Sequence, residues 1–151
     1  MEKLQGFRRG KNSRQLTAVA AYEDGLTEAR VHEFCRNLAA FVGNGCEITK
    51  QMWLLSQLRI GGLRAIAAGE AAAADVVIVS LHFSEQLPAE VESWVKAWVE
   101  SRHGCEGRAL LAALFDPSRM GLSSSIRSFL KETAKRGRME FLVEAVEALE
   151  E

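Results

Sequence analysis

The chain has 151 residues, of which 48% are hydrophobic and 26% are charged, and its formal net charge is −1. This length corresponds to about one domain with a real core, and the balanced charge argues against a general nucleic-acid binder. The sequence contains no apolar run long enough for a membrane helix, and the short apolar stretch after Arg8 and Arg9 is too short for a secretory signal. We therefore predict a cytoplasmic protein that binds neither nucleic acid nor membrane.

Charge is concentrated at the two ends of the chain. The N-terminal segment is basic and the C-terminal segment is acidic, with these residues: Lys3, Arg8, Arg9, Lys11, Arg14, and Glu140, Glu144, Glu147, Glu150, Glu151. Such runs at chain ends are typical of solvated tails. We predict a flexible basic tail over residues 1–14 and a single domain over residues 15–151.

The three cysteines, Cys35, Cys46 and Cys105, are odd in number and far apart, and no pair has the C-x-x-C spacing. Neither a disulfide framework nor a zinc site is expected from this pattern. We interpret them as buried reduced thiols, with Cys35 on the apolar face of a predicted helix and Cys46 at the start of a predicted strand.

Five stretches have the pattern of strands. Continuous apolar runs over 16–22, 75–81 and 109–115 predict strands that are covered on both faces. The alternating stretch 46–53 predicts an edge strand, and 139–143 predicts a short fifth strand.

Four helical patterns lie between these strands, over 27–42, 57–74, 88–102 and 123–136. The second carries Leu58, Leu63 and Ile66 before an alanine run, and Gly61-Gly62 predicts an interruption near its start. Strict alternation of strands and helices predicts an α/β fold with a doubly wound, five-stranded parallel sheet.

Few residues follow the fifth predicted strand. The remaining EAVEALEE allows a final helix of about two turns, which is marginal by itself. A truncated or missing last helix would leave apolar surface on one face of the sheet. We expect the N-terminal tail or a second subunit to cover it, and we predict a homodimer.

Two stretches resemble flavodoxin-like proteins. ADVVIVSLHFSEQLPAEVESW is similar to their third strand and the loop that follows it, and AAYEDGLTEARVHEF is similar to their first strand and phosphate loop. In the second stretch, Gly25, Thr27 and Glu28 match a Gly-x-Thr-Glu turn into the first helix. The resemblance extends to small bacterial proteins of this fold and implies the same sheet topology.

Flavodoxins bind flavin mononucleotide (FMN), so the resemblance implies FMN as a candidate cofactor. A phosphate needs hydroxyl and backbone donors at a helix N-terminus, and Thr27 could supply one. Tyr22, Glu23 and Asp24 stand where the family places hydroxyls and small residues, and His82 stands where it often places a large aromatic. We expect no cofactor, with FMN as the alternative.

Response-regulator receiver domains share this topology and hold Mg²⁺ with an acidic pair after the first strand, which Glu23 and Asp24 match. They also need an aspartate after the third strand and a lysine after the fifth. This chain has Ser80 or His82 at the first position and no lysine in MEFLVEA. A phosphorylatable receiver is therefore excluded, whereas a receiver-like binding domain is not.

In this fold, ligands bind outside the carboxyl ends of the strands. The candidate rim residues are Tyr22, Glu23, Asp24, Thr27, Trp53, Ser80, His82, Phe83, Asp116 and Ser118. Acid, histidine and hydroxyl groups together could support acid–base chemistry, but Asp24 or Thr27 could instead cap a helix and Asp116 could form a turn. The Glu/Asp/His set could also ligate a divalent metal, but its spacing matches no metal motif. No metal site or catalytic residue is therefore assigned.

Trp94 and Trp98 lie four residues apart on one predicted helix. Core packing is expected for at least one of them. If the other is exposed, it is the candidate anchor of an interface, because tryptophan is enriched in binding hot spots.

The main hypothesis is a non-enzymatic binding or regulatory module of flavodoxin/receiver-like fold with an unknown protein partner. The alternative is an FMN-binding redox protein, or a small enzyme that uses the rim residues.

Overall fold

The computed structural model describes residues 15–43, 45–82, 86–102, 109–115 and 124–145. The strands are β1 (Gln15–Tyr22), β2 (Glu47–Leu54), β3 (Val76–Ser80), β4 (Ala109–Phe115) and β5 (Met139–Ala145). The helices are α1 (Gly25–Val42), α2 (Leu55–Leu58), α3 (Gly61–Ala73), α4 (Ala89–Ser101) and α5 (Ser124–Arg136). None of the helices in these ranges is long and apolar enough to span a membrane.

The five strands form one parallel sheet in the order β2-β1-β3-β4-β5. This is the flavodoxin-like strand order, so the predicted doubly wound α/β fold is confirmed. The predicted truncated last helix falls on residues 146–151, which lie outside the described residues, as does the predicted N-terminal tail.

Helices α3, α4 and α5 cover one face of the sheet. On α3 the core contacts come from Ala67, Ala68 and Ala71, whereas Ile66 is 54% exposed. The small alanines let α3 approach the sheet closely on the side that Ile66 does not occupy. The predicted break in this region is confirmed and falls at Arg59 and Ile60, just before the two glycines.

Trp94 and Trp98 belong to the core on this same face. Both are fully buried, and their rings meet edge to face with centroids 6.0 Å apart. The prediction of an interface anchor is therefore wrong for both residues, because α4 turns its apolar stripe toward the sheet and neither indole reaches the surface. Their role is to fill the core.

Helix α1 covers the opposite face through Val31, Phe34 and Leu38. On this face, Leu110 and Leu114 of β4 are also fully buried within the single chain. We expected a missing last helix to leave apolar surface exposed on one face of the sheet. These two positions are not exposed. The homodimer stays a prediction, and it loses this part of its motivation.

Cys35 lies on the buried face of α1, as predicted. Burial raises the pKa of its thiol to about 11, so the group is protonated and unreactive at neutral pH. The predicted burial of Cys46 is wrong, because this residue just before the edge strand β2 is partly exposed, and Cys105 lies outside the described residues.

Arg102, just after α4, closes the C-terminus of α3. Its Nη1 donates to the backbone carbonyls of Ala71, Ala72 and Ala74 at 2.9–3.0 Å, and the residue is only 6% exposed. The last carbonyls of a helix have no partner within it. A buried guanidinium therefore takes the place of a C-terminal cap on α3, whose last turn carries no basic residue of its own.

Candidate functional site

The candidate site lies where β1 and β3 end side by side. The two strands are in parallel register with Tyr22 opposite Ser80, so the loops that follow them leave the sheet at the same edge. Helix α1 leaves β1 toward one face, and α3 covers the other. This is the topological switch point, where ligands bind in open α/β sheets.

Asp24 is the N-cap of α1. Its Oδ1 accepts a hydrogen bond from the backbone N–H of Thr27 at 3.0 Å, and its own backbone N–H donates to Thr27 Oγ1 at 2.9 Å. The pair forms a reciprocal capping box, which satisfies donors at the beginning of the helix. The alternative interpretation of these two residues as a helix cap is therefore confirmed.

The hydroxyl of Thr27 is fully engaged within the chain. It also accepts the backbone N–H of Glu23 at 2.8 Å, and the residue is completely buried. The prediction that Thr27 presents its hydroxyl to a ligand is therefore wrong, because the capping geometry turns that group inward.

Ser80, at the end of β3, is another buried hydroxyl. Its Oγ donates to the backbone carbonyl of Thr27 at 2.9 Å, and the residue has no exposed surface. This bond ties the end of β3 to the first turn of α1. The hydroxyl of Ser80 therefore forms a structural hydrogen bond and is not accessible to a ligand, as its predicted place on the rim would require.

His82 reaches across the switch point to Asp24. Its Nε2 lies 2.7 Å from Asp24 Oδ2, with the His82 side chain 32% exposed and the Asp24 side chain 50% exposed. The pKa of Asp24 is lowered mainly by the hydrogen bond from the Thr27 backbone and further by His82. Asp24 is therefore an anionic group. Its Oδ1 is bonded to the first turn of the helix, and its Oδ2 points toward His82.

Glu23 completes a cluster with this pair. One oxygen or nitrogen atom from each of Glu23, Asp24 and His82 lies within 4.8 Å of the other two, and all three side chains are at least partly exposed. The sequence analysis placed these residues on one rim and considered them as metal ligands, but their spacing matched no metal motif because Asp24 and His82 are 58 residues apart. The parallel pairing of β1 with β3 brings them together.

Two other predicted rim residues lie beside the cluster and do not join it. Tyr22 is half-buried, and burial together with the nearby Glu28 raises the pKa of its hydroxyl. Trp53 packs on the α3 face of the sheet, where its indole N–H donates to Glu70 Oε1 at 2.8 Å. Trp53 is partly exposed at the carboxyl end of β2, and its place on the rim stays a prediction.

The predicted rim residues Phe83, Asp116 and Ser118 lie outside the described residues. Glu70 and Arg102 were missed by the sequence analysis. Glu70 accepts a hydrogen bond from Trp53 Nε1, and Arg102 donates to backbone carbonyls at the end of α3. Neither contact leaves a local pattern in the sequence.

No family model matches this sequence, and no curated protein matches it as a relative. Among solved structures, it is similar to a short-chain flavodoxin associated with a non-canonical PDU bacterial microcompartment. The TM-score is 0.55 at 13% identity, over 87% of this chain and 82% of that chain. The second structure, general stress protein 14 from Treponema denticola in complex with FMN, has a TM-score of 0.46 at 13% identity, over 86% of this chain and 84% of that chain.

The TM-score of the second structure is too low to support an argument. The similarity to the short-chain flavodoxin concerns the fold alone. Its high coverage of both chains agrees with the strand order β2-β1-β3-β4-β5. This chain therefore has the flavodoxin-like fold.

Proposed function

We propose that this chain is a non-enzymatic, flavodoxin-like binding module whose crevice at the ends of β1 and β3 takes a cationic ligand instead of a flavin phosphate. The observation that carries this proposal is the carboxylate of Asp24 at the N-terminus of α1, with Glu23 beside it. A helix N-terminus attracts anions. In this chain two of its own carboxylates already lie at that position.

Three backbone donors at this turn are also in use. The backbone N–H groups of Glu23, Asp24 and Thr27 donate to side-chain oxygens of the same turn at 2.8–3.0 Å. A phosphate dianion would have to displace these bonds and would be repelled by the adjacent carboxylates. The residues present at this turn therefore do not fit the phosphate group of FMN.

The rim also lacks support for covalent chemistry. The hydroxyls of Thr27 and Ser80 are buried and bonded within the chain. A nucleophile needs an adjacent base and access to a substrate, and neither hydroxyl in the described part of the rim has that access. The Asp24–His82 pair is accessible but has no described nucleophile to activate. Binding is therefore better supported than catalysis.

The test is a titration of FMN with the purified chain while flavin fluorescence is recorded. We expect no saturable quenching at tens of micromolar protein. A flavodoxin measured in parallel is the positive control. Saturable quenching by this chain would contradict the proposal, and it would favour the alternative of an FMN-dependent redox protein.

The variant Glu23→Gln/Asp24→Asn sharpens this test. It removes both carboxylate charges and keeps the N-cap, since an asparagine oxygen can accept the Thr27 N–H. We expect FMN to stay unbound, because the internal hydrogen bonds of the turn remain. Binding that appears only in the variant would show that charge alone excludes the phosphate, which would overturn the role given to the closed capping box.

A further inference from the structure

Building on the proposed function, we propose that Glu23, Asp24 and His82 form a binding site for a first-row divalent transition-metal ion, with Zn²⁺ as the probe ion. The three donors come from the ends of two adjacent parallel strands, and their ligand atoms lie within 4.8 Å of one another. Metal–ligand bonds of about 2.0–2.2 Å require donor atoms a little over about 3 Å apart. Rotation of the partly exposed side chains can bring the donor atoms to that separation.

The donor types select the class of ion. An imidazole nitrogen with carboxylate oxygens suits Zn²⁺ and its first-row neighbours. Mg²⁺ and Ca²⁺ prefer all-oxygen sites, and thiolate-preferring ions have no described sulfur among these three donors. Three protein ligands would leave at least one coordination position for water or for a group of a partner.

A second feature distinguishes this cluster from carboxylates scattered on a surface. Asp24 Oδ1 is held by the Thr27 backbone N–H at 3.0 Å, which directs Oδ2 toward His82. Metal-binding carboxylates are themselves usually hydrogen-bonded in this way, because the outer contact fixes the ligand's orientation.

The backbone on the His82 side is anchored as well. The N–H of Leu81 donates to the carbonyl of Leu114 at 3.0 Å, and Ser80 Oγ is bonded to the first turn of α1. The segment that carries His82 is thereby fixed to both β4 and α1. The donors from the two strand ends are thus held at a set separation, as a binding site requires.

The charges agree with this assignment. Asp24 and Glu23 each contribute a carboxylate to the cluster. A divalent cation would be attracted by both and would occupy the space in which His82 Nε2 now meets Asp24 Oδ2. The helix N-terminus opposes a cation, and the carboxylates at the cap offset this repulsion.

The experiment is isothermal titration calorimetry of the full chain with ZnCl₂ near pH 7.5. We expect saturable binding of one ion. His82→Gln and Asp24→Asn should each weaken binding by at least about tenfold. The Asp24→Asn variant keeps the N-cap, so a loss of affinity would not arise from a damaged helix.

His32→Gln is the matched control. His32 is also a partly exposed histidine near a carboxylate, with its Nε2 3.7 Å from Glu28 Oε2 on one face of α1. We expect the zinc affinity of the His32→Gln variant to equal that of the unmodified chain. Equal loss in His32→Gln and His82→Gln would indicate general surface binding and would overturn the site.

The flavin titration keeps the two proposals apart. No saturable zinc binding, with FMN also unbound, would overturn the metal site alone. FMN binding would overturn the proposed function together with the metal site. Zinc binding that His82→Gln leaves unchanged would show that the ion lies elsewhere, and it would also overturn this site.

Discussion

Two helix ends in this chain are closed by charged side chains, and they differ in what they leave accessible. At the C-terminus of α3, one nitrogen of Arg102 donates to three carbonyls, and the residue is almost wholly buried. At the N-terminus of α1, Asp24 uses one oxygen for the cap, and its side chain remains 50% exposed with the other oxygen toward His82. The first contact serves the fold, and the second leaves a polar group for a ligand.

The position of each end in the sheet explains the difference. Helix α3 runs antiparallel to the strands, so its C-terminus lies where β3 begins, and the fold closes this edge with Arg102. Helix α1 begins where β1 ends, beside the end of β3. Ligands in open α/β sheets bind outside the carboxyl ends of the strands, at the switch point where the strand order reverses.

The largest expected effect comes from removing the buried contact. Arg102→Met would leave carbonyls of α3 without their donor and should lower the free energy of unfolding by roughly 3 kcal/mol. Urea denaturation measures this change. The control is Arg136→Met, which removes an exposed ion pair with Glu100 and should cost less than about 0.5 kcal/mol. Similar losses in the two variants would show that Arg102 is no more important than a surface arginine.

The N-cap of α1 should show a smaller effect that depends on the replacement. Asp24→Ala removes the acceptor for the Thr27 N–H and should cost about 1 kcal/mol of unfolding free energy, whereas Asp24→Asn should stay within about 0.5 kcal/mol of the unmodified chain. Urea denaturation of both variants measures the difference. An equal loss in both would show that the charge, and not the hydrogen bond, stabilises the helix end.

The smallest effect on stability is expected for His82→Gln. The pair with Asp24 is partly exposed, so its loss should change the free energy of unfolding by less than about 0.5 kcal/mol. The same variant is expected to lose zinc binding, so ligand binding and stability should separate at this residue. A loss as large as that of Arg102→Met would mean that the Asp24–His82 contact is a structural brace.

The fold could be predicted from the sequence because its signals are local. The apolar run 109–115 predicted β4 at the bounds that the structure gives, and the stripe with Trp94 and Trp98 predicted a packed α4. The alanine run predicted within helix α3 supplies its core contacts, whereas Ile66 is largely exposed. Close packing on the sheet favours the small alanines.

The candidate site was predicted only in part. Asp24 and His82 were both placed on the rim, but their 2.7 Å contact depends on which strands are neighbours and in what register. Thr27 and Ser80 were predicted to face a ligand, and hydrogen bonds to the backbone turn both inward. Sequence patterns indicate which residues reach an edge of the sheet. They do not indicate which of those residues bond to each other.

The most direct test of cation binding at the switch point is anomalous diffraction at the zinc absorption edge, measured on a crystal of the full chain grown with Zn²⁺. We expect an anomalous peak bonded to His82 Nε2 and to carboxylate oxygens of Glu23 and Asp24, with the Thr27 N–H still bonded to Asp24. A crystal with no peak at this cluster, or with zinc only at other surface groups, would contradict the account.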